Sequence, residues 1–238
     1  TIGPNSGTDE QSDDYFNTVL YTGDGNNGRT VTGVGFQPDW LSIKRRDGTN
    51  SHVLMDSSRG SGSNDSLRAL LSNVSDAEYD LNDHVRSLDS DGFTVGSGGG
   101  GNGSGQAKLA WQWKAGDSNT SVSAYGSGNG AINAATHRAN QTAGFSLVQY
   151  TGRNSDLSNG QDSKVAHGLG AKPDMVWIKN GTDTHDWVIL GNGNDLKFWG
   201  SGQTGNDSSV KFNGTDSVNG GLFIGNFDTV SDSTYFAV

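Results

Sequence analysis

One stretch of this chain occurs twice, and that repetition constrains the fold more than any other feature. Gly33-Val34-Gly35-Phe36-Gln37-Pro38-Asp39-Trp40-Leu41-Ser42-Ile43-Lys44 is answered by Gly168-Leu169-Gly170-Ala171-Lys172-Pro173-Asp174-Met175-Val176-Trp177-Ile178-Lys179. In the same register His52-Val53-Leu54-Met55 falls on Trp187-Val188-Ile189-Leu190. Upstream, Leu20-Tyr21-Thr22-Gly23 falls on Gln149-Tyr150-Thr151-Gly152, and downstream Thr94-Val95-Gly96-Ser97 falls on Phe223-Ile224-Gly225-Asn226. Four segments in one order indicate two copies of a single supersecondary plan. The expected organisation is an extended polar arm over 1–14, a first repeat over 15–116, a linker over 117–143 and a second repeat over 144–238.

The repeated segments read as strands. Phe16 to Tyr21 and Phe145 to Tyr150 alternate with period two, and Leu41 with Ile43, like Val176 with Ile178, share one face of the best strands in the chain. The Gly-x-Gly-x-x-Pro-Asp element before them cannot be a central strand, because Pro lacks a donor and Gly packs nothing. It reads as a turn in which Asp39 or Asp174 bonds nearby backbone N–H groups. A phosphate loop would need a helix after the glycines, and here a strand follows. The 37 glycines fit many tight turns, so the fold class expected is all-β with little helix. One short helix is expected after Asp65, where Leu67, Leu70 and Leu71 fall at helical spacing. Residues 98–105, almost wholly Gly, Asn and Ser, read as a flexible hairpin tip.

Charge and composition exclude several functions. A formal net charge of −10 with 16 scattered Lys and Arg offers no basic face for nucleic acid or anionic membranes. Cysteine is absent, which removes disulfides and thiolate-bound metals. Thr1 is not an initiator Met, so a processed polypeptide or a piece of a longer one is expected.

Candidate chemistry is thin. Asp80, Asp83, Asp89 and Asp91 cluster, as do Asp183 and Asp186, but they lie among Gly, Ser and Asn as turn formers do, and Glu78 is the single Glu past the arm. His52, His84, His137, His167 and His185 have no ligand spacing and lie near no nucleophile motif. Asp89-Ser90-Asp91-Gly92 and Asp24-Gly25-Asn26-Asn27-Gly28 are oxygen-rich, yet neither has the spacing of a calcium loop. No catalytic residue, metal or cofactor is expected. Among the tryptophans, which can stack on sugar rings, Trp111 and Trp113 share a strand face and suit a core or interface. Trp187 and Trp199 lie beside polar loops and are the exposed pair expected to touch glycans.

Together, Tyr21-Thr22-Gly23, the Gly33-to-Lys44 element, Ser90-Asp91-Gly92-Phe93-Thr94-Val95-Gly96-Ser97 and Ala110-Trp111-Gln112-Trp113-Lys114-Ala115-Gly116 resemble a repeat domain of bacteriophage structural proteins. The resemblance spans about Tyr15 to Val238. It implies lectin-like, jelly-roll β-sandwiches and a role on the virion surface, tail-fibre-like or capsid-associated. With no catalytic motif in the chain a non-enzymatic role is expected, the alternatives being a purely structural filament or decoration module and, last, a glycan depolymerase. The partners implied are other copies of the chain, other virion proteins or host-surface glycans. The second copy stops at Tyr235-Phe236-Ala237-Val238, where the first continues Trp111-Gln112-Trp113-Lys114. An open strand edge there, covered by further polypeptide or a partner subunit, is expected.

Overall fold

The computed structural model describes residues 11–62, 66–80, 83–122, 133–151, 163–170, 173–184 and 187–191, together with short strands at 210–212, 222–224 and 234–237. The chain is predominantly antiparallel β-sheet. It divides into two compact units, Thr1–Asn73 with Glu78–Ala115 and Val74–Ala77 with Gly116–Val238.

In unit 1 a 3-10 turn at Ser12–Asp14 leads into β1 (Phe16–Thr22), followed by β2 (Arg29–Thr32), β3 (Trp40–Arg45), β4 (Val53–Asp56), β5 (Arg68–Leu71) and β6 (Tyr79–Asp80). Next come β7 (Val85–Asp89), β8 (Gly92–Val95), a single helical turn α1 (Gly99–Asn102) and β9 (Ala107–Trp113). Six strands form one sheet in the order β1-β9-β3-β4-β5-β6, and three form another in the order β2-β8-β7. Leu41, Ile43 and Ala110 from the larger sheet pack against Val31, Val85, Phe93 and Val95 from the smaller. The core therefore lies between the two sheets, and the alternation seen in the sequence is what supplies each inner face.

Unit 2 holds β10 (Thr120–Val122), β11 (Asn133–Asn140), β12 (Phe145–Thr151), β13 (Ser163–Val165), β14 (Met175–Asn180), β15 (Val188–Gly191), β16 (Val210–Phe212), β17 (Leu222–Ile224) and β18 (Thr234–Ala237). Its sheets run β10-β11-β12-β18-β14-β15 and β13-β17-β16. The order β12-β18-β14-β15 matches β1-β9-β3-β4, and β13-β17-β16 matches β2-β8-β7. Register agrees as well. Ala110 faces Val19 on one side and Ile43 on the other, while Ala237 faces Val148 and Ile178. Leu41, Ile43, Val176 and Ile178 are all buried, as the shared strand pattern requires.

Four expectations need correction or refinement. The segment after Asp65 is the strand β5, not a helix: Ala69 and Leu70 point to opposite faces and both are buried, and β5 pairs with β4 through Val53↔Leu71 and Leu54↔Leu70. Residues 98–105 do not form a loose tip. They contain α1, whose Asn102 is fully buried and donates to Asp24 Oδ1 and Asn26 O, both at 2.8 Å. Glycine is required there because a Cβ on Gly101 would run into the His84 carbonyl. The stretch 117–143 carries β10 and β11, two strands of the unit 2 sheet. Finally, β18 is not an edge: Tyr235, Phe236 and Ala237 pair with β12 on one side and β14 on the other. Of the arm, residues 1–10 lie outside the described residues.

Candidate functional site

The repeated Gly33–Asp39 element, the most motif-like part of the chain, is given over to holding the fold. Gly33 and Gly35 adopt positive φ and aim their N–H groups at one carboxylate: Asp91 Oδ2 accepts from Gly33 at 3.2 Å and Oδ1 from Gly35 at 2.7 Å. Those bonds hold the Asp91 carboxyl below its ordinary range. The amides that a phosphate would need are thus occupied by the chain's own anion. Asp39, at the end of the element, accepts from Ser57 Oγ at 2.8 Å and from the Ala115 N–H at 2.8 Å, which ties β3 to the end of β9.

The other carboxylates are committed in the same way. Asp89 accepts from Ser87 and Thr94 hydroxyls at 2.7 Å within the β7–β8 hairpin. Asp24 accepts the Asn26 N–H at 2.9 Å and the Asn102 amide, and these bonds lower its pKa. Asp83 accepts from Arg86 at 2.6 Å and from Ser97, which also lowers its pKa. Glu78 bridges Arg59 at 3.1 Å and Arg68 at 2.6 Å, and Arg59 is further paired with buried Asp56. A general acid needs a carboxyl with a raised pKa near 7, whereas the shifts at Asp24, Asp83 and Asp91 run the other way. Asp183 is exposed, and Asp186 lies outside the described residues.

Among the described residues, no group of three or more His, Cys, Asp or Glu side chains could hold a metal ion. Burial lowers the pKa of His52 and, with the neighbouring His167, that of His137. His185 lies outside the described residues. No helix among them is long and apolar enough to cross a membrane.

For the aromatics the structure moves attention to another part of the chain. Trp187 is 2% exposed, so neither face of its indole is open to a sugar; it stands immediately before β15. Trp199 lies outside the described residues. Large exposed apolar side chains lie instead at Met175 on β14 and at Leu20 and Trp111, which share the outer face of β1, β9 and β3. Cross-strand register arranges that face in rows: Phe16–Trp113–Trp40, then Thr18–Trp111–Ser42, then Leu20–Leu109–Lys44. The first row is a packed aromatic cluster, with Trp113 ring centroids 4.4 Å from Phe16 and 4.6 Å from Trp40. Beyond it Trp111 is 37% exposed and Leu20 58% exposed. The pairing of Trp111 with Trp113 on one face was legible in the sequence; the exposure of Leu20 was not, because alternation alone does not say which face a second layer covers.

An antiparallel β protein whose motif carboxylates hold its own backbone, with an aromatic sheet face partly open, is the class that fold and site define. Residues 11–238 match the domain of unknown function DUF7483, and the chain belongs to that family. No curated protein and no solved structure matches it.

Proposed function

We propose that this chain is a non-enzymatic structural protein of a bacteriophage virion surface, tail-fibre-like or capsid-associated, built from two tandem copies of one lectin-like, jelly-roll β-sandwich repeat. The repeated strand order and the shared Ile–Ala–Val register support the two-copy reading. The observation that carries the functional reading is the use of the acidic side chains. Asp24, Asp39, Asp83, Asp89 and Asp91 each hold backbone or side-chain donors of their own unit, the use a scaffold makes of its carboxylates. Host-surface glycans, where contacted, meet the Trp111 face rather than Trp187. Trp111 offers an exposed aromatic platform with the exposed hydroxyl of Thr18 beside it, whereas Ser42 on its other side is buried.

The second reading is a purely structural filament or decoration module without a ligand, and the apolar character of Leu20 beside Trp111 favours it. Antibodies raised against the chain should decorate purified particles of the virus that encodes it. Labelling confined to lysate and absent from particles would overturn the virion assignment. A glycan array probed with the chain and with Trp111→Ala separates the two readings, since only glycan contact gives a signal that the substitution removes. Release of reducing sugar from polysaccharide would overturn the non-enzymatic reading.

A further inference from the structure

In unit 1, β1 is the last strand of its sheet and pairs with β9 alone. Its counterpart β12 pairs on the corresponding side with β11, antiparallel, from Asn140↔Phe145 to Thr136↔Gln149. The same edge is therefore covered by a strand in one unit, while in the other no strand among the described residues lies on it.

The phase of the ladder shows what this edge presents. Lys114 N–H donates to Tyr15 O and Gly23 N–H to Gln106 O, each at 2.8 Å. In an antiparallel pair such exchanges alternate, so odd-numbered residues of β1 bond to β9 while Phe16, Thr18, Leu20 and Thr22 turn their N–H and C=O groups outward. Two of these groups are engaged locally: Thr18 N–H donates to Asn17 Oδ1 at 2.7 Å, and the Thr22 carbonyl accepts from Arg29. The groups of Phe16 and Leu20, the Thr18 carbonyl and the Thr22 N–H remain on the open side. Exposed edges are ordinarily blunted with Lys, Pro or a bulge. Phe16-Asn17-Thr18-Val19-Leu20-Tyr21-Thr22 has no charge and no Pro, and its pairing with β9 runs through all seven residues without a shift.

We propose that this edge is an interface with a second copy of the chain, β1 against β1 in antiparallel about a twofold axis, joining two sheets into one. The chemistry favours a second copy over an unrelated strand. An antiparallel strand is complementary to itself when the outward residues of both copies fall in phase, as happens when Val19 sits on the axis and Thr18 faces Leu20 of the partner subunit. An uncharged strand meets no like charge opposite, and the exposed Leu20 side chains of the two copies come to lie diagonally on the same face. The formal charge of −10 on each chain opposes approach, so association should strengthen as salt screens it. This inference deepens the structural reading above by naming a partner, and it rests on the correspondence of β1 with β12.

Sedimentation of the full chain between about 1 and about 100 µM, at low salt and at about 0.5 M NaCl, is the test. The expected result is a concentration-dependent species of twice the chain mass, favoured by salt. Leu20→Lys, which sets a charge on each copy near the axis, should weaken it about tenfold or more. Leu20→Pro removes one outward donor and leaves the β9 ladder intact, and should act in the same direction with the circular dichroism spectrum unchanged. Should the Pro variant fail to fold, Leu20→Lys alone decides. A wild-type chain that stays monomeric at every concentration, or a dimer that Leu20→Lys leaves as strong as before, overturns the interface. Either result leaves the two-copy reading standing, since that is tested separately by superposing the two units in an experimental structure.

Discussion

Asp39 Oδ2 accepts the backbone N–H of Ala115 at 2.8 Å across 76 positions of sequence, and both residues are buried. The bond closes the sheet where β9 leaves it, and the second oxygen is taken by Ser57 Oγ. Asp39→Ala would leave a buried N–H without an acceptor, at a cost of about 2–3 kcal/mol. The matching Asp174 is exposed, so Asp174→Ala should change stability by less than about 0.5 kcal/mol. Urea denaturation of the two variants checks the contrast, and equal effects would contradict it.

The glycine-rich turn α1 gives a second contrast. A Cβ at Gly101 would strike the backbone carbonyl of His84, which cannot swing aside, whereas one at Gly99 would meet open space within 4 Å. Gly101→Ala should therefore destabilise by about 1–3 kcal/mol through overpacking. Gly99→Ala, in the same helical turn, should be neutral or stabilising by about 0.5–1 kcal/mol, because it removes freedom from the unfolded chain. Thermal melts of both variants provide the measurement.

These packed glycines also show what the sequence could and could not reveal. Strands β3 and β14 were legible because Leu41/Ile43 and Val176/Ile178 alternate and each sits behind a Pro-Asp turn that fixes its register. The run Leu67, Leu70, Leu71 was not legible. Spacings of three and four fit one face of a helix equally well as a strand buried on both faces, and β5 is such a strand, with Ala69 inward and Leu70 outward. Residues 98–105 looked solvent-like because they carry almost no side chains. What packs them comes from elsewhere in the chain: His84 and Asp83 against the glycines, and Lys108 and Tyr21 bonding to their carbonyls. Trp187 failed as a surface site for a related reason, since polar neighbours in sequence say nothing about what covers a side chain in space. The commitment of Asp39 and Asp91 to backbone donors was legible in kind, as turn chemistry, but their particular partners lie tens of residues away.

Lys108 and Tyr21 make the alkaline limb of stability a test of that packing. Lys108 Nζ is buried and donates to the carbonyls of Gly99 at 2.6 Å and Gly100 at 3.2 Å, and burial lowers its pKa to about 8 from 10.5. The unfolded chain then binds more protons between those values, so this group's contribution to stability rises with pH from about 8 to about 10.5. Tyr21 acts in the opposite sense. Its pKa is raised by burial, its hydroxyl donates to Gly101 O at 2.6 Å, and stability falls as pH climbs above 10. Melting temperatures for the wild type and Lys108→Met from pH 7 to 10 should show a rising component in the first that is lost in the second. Parallel curves would contradict the burial of the ammonium group.

At the acid end the group to follow is Asp91. Its folded pKa is depressed, first by the Gly35 N–H and then by the Gly33 N–H, below the 3.8 of a free Asp. Its stabilising contribution is therefore complete above that value and is lost as pH falls through the folded pKa. Asp24, Asp47 and Asp83 are depressed in the same direction by their own donors, so all four carboxylates lose their stabilising effect together below about pH 4. Asp91→Asn keeps one acceptor for the two glycine amides but removes the charge. It should lower stability at pH 7, because a neutral acceptor holds the two amides less strongly than a charged one. It should also flatten the acid limb, since one of the four titrating groups is gone. Measuring unfolding free energy in urea at intervals from pH 7 to pH 3 separates this from a general loss of packing. A variant that merely fits the turn less well would be weaker by the same amount at every pH, whereas loss of the Asp91–glycine interaction makes the gap to the wild type close as the wild-type carboxyl is protonated. A gap that stays constant down to pH 3 would show that the carboxylate charge is not what holds the Gly33–Gly35 turn.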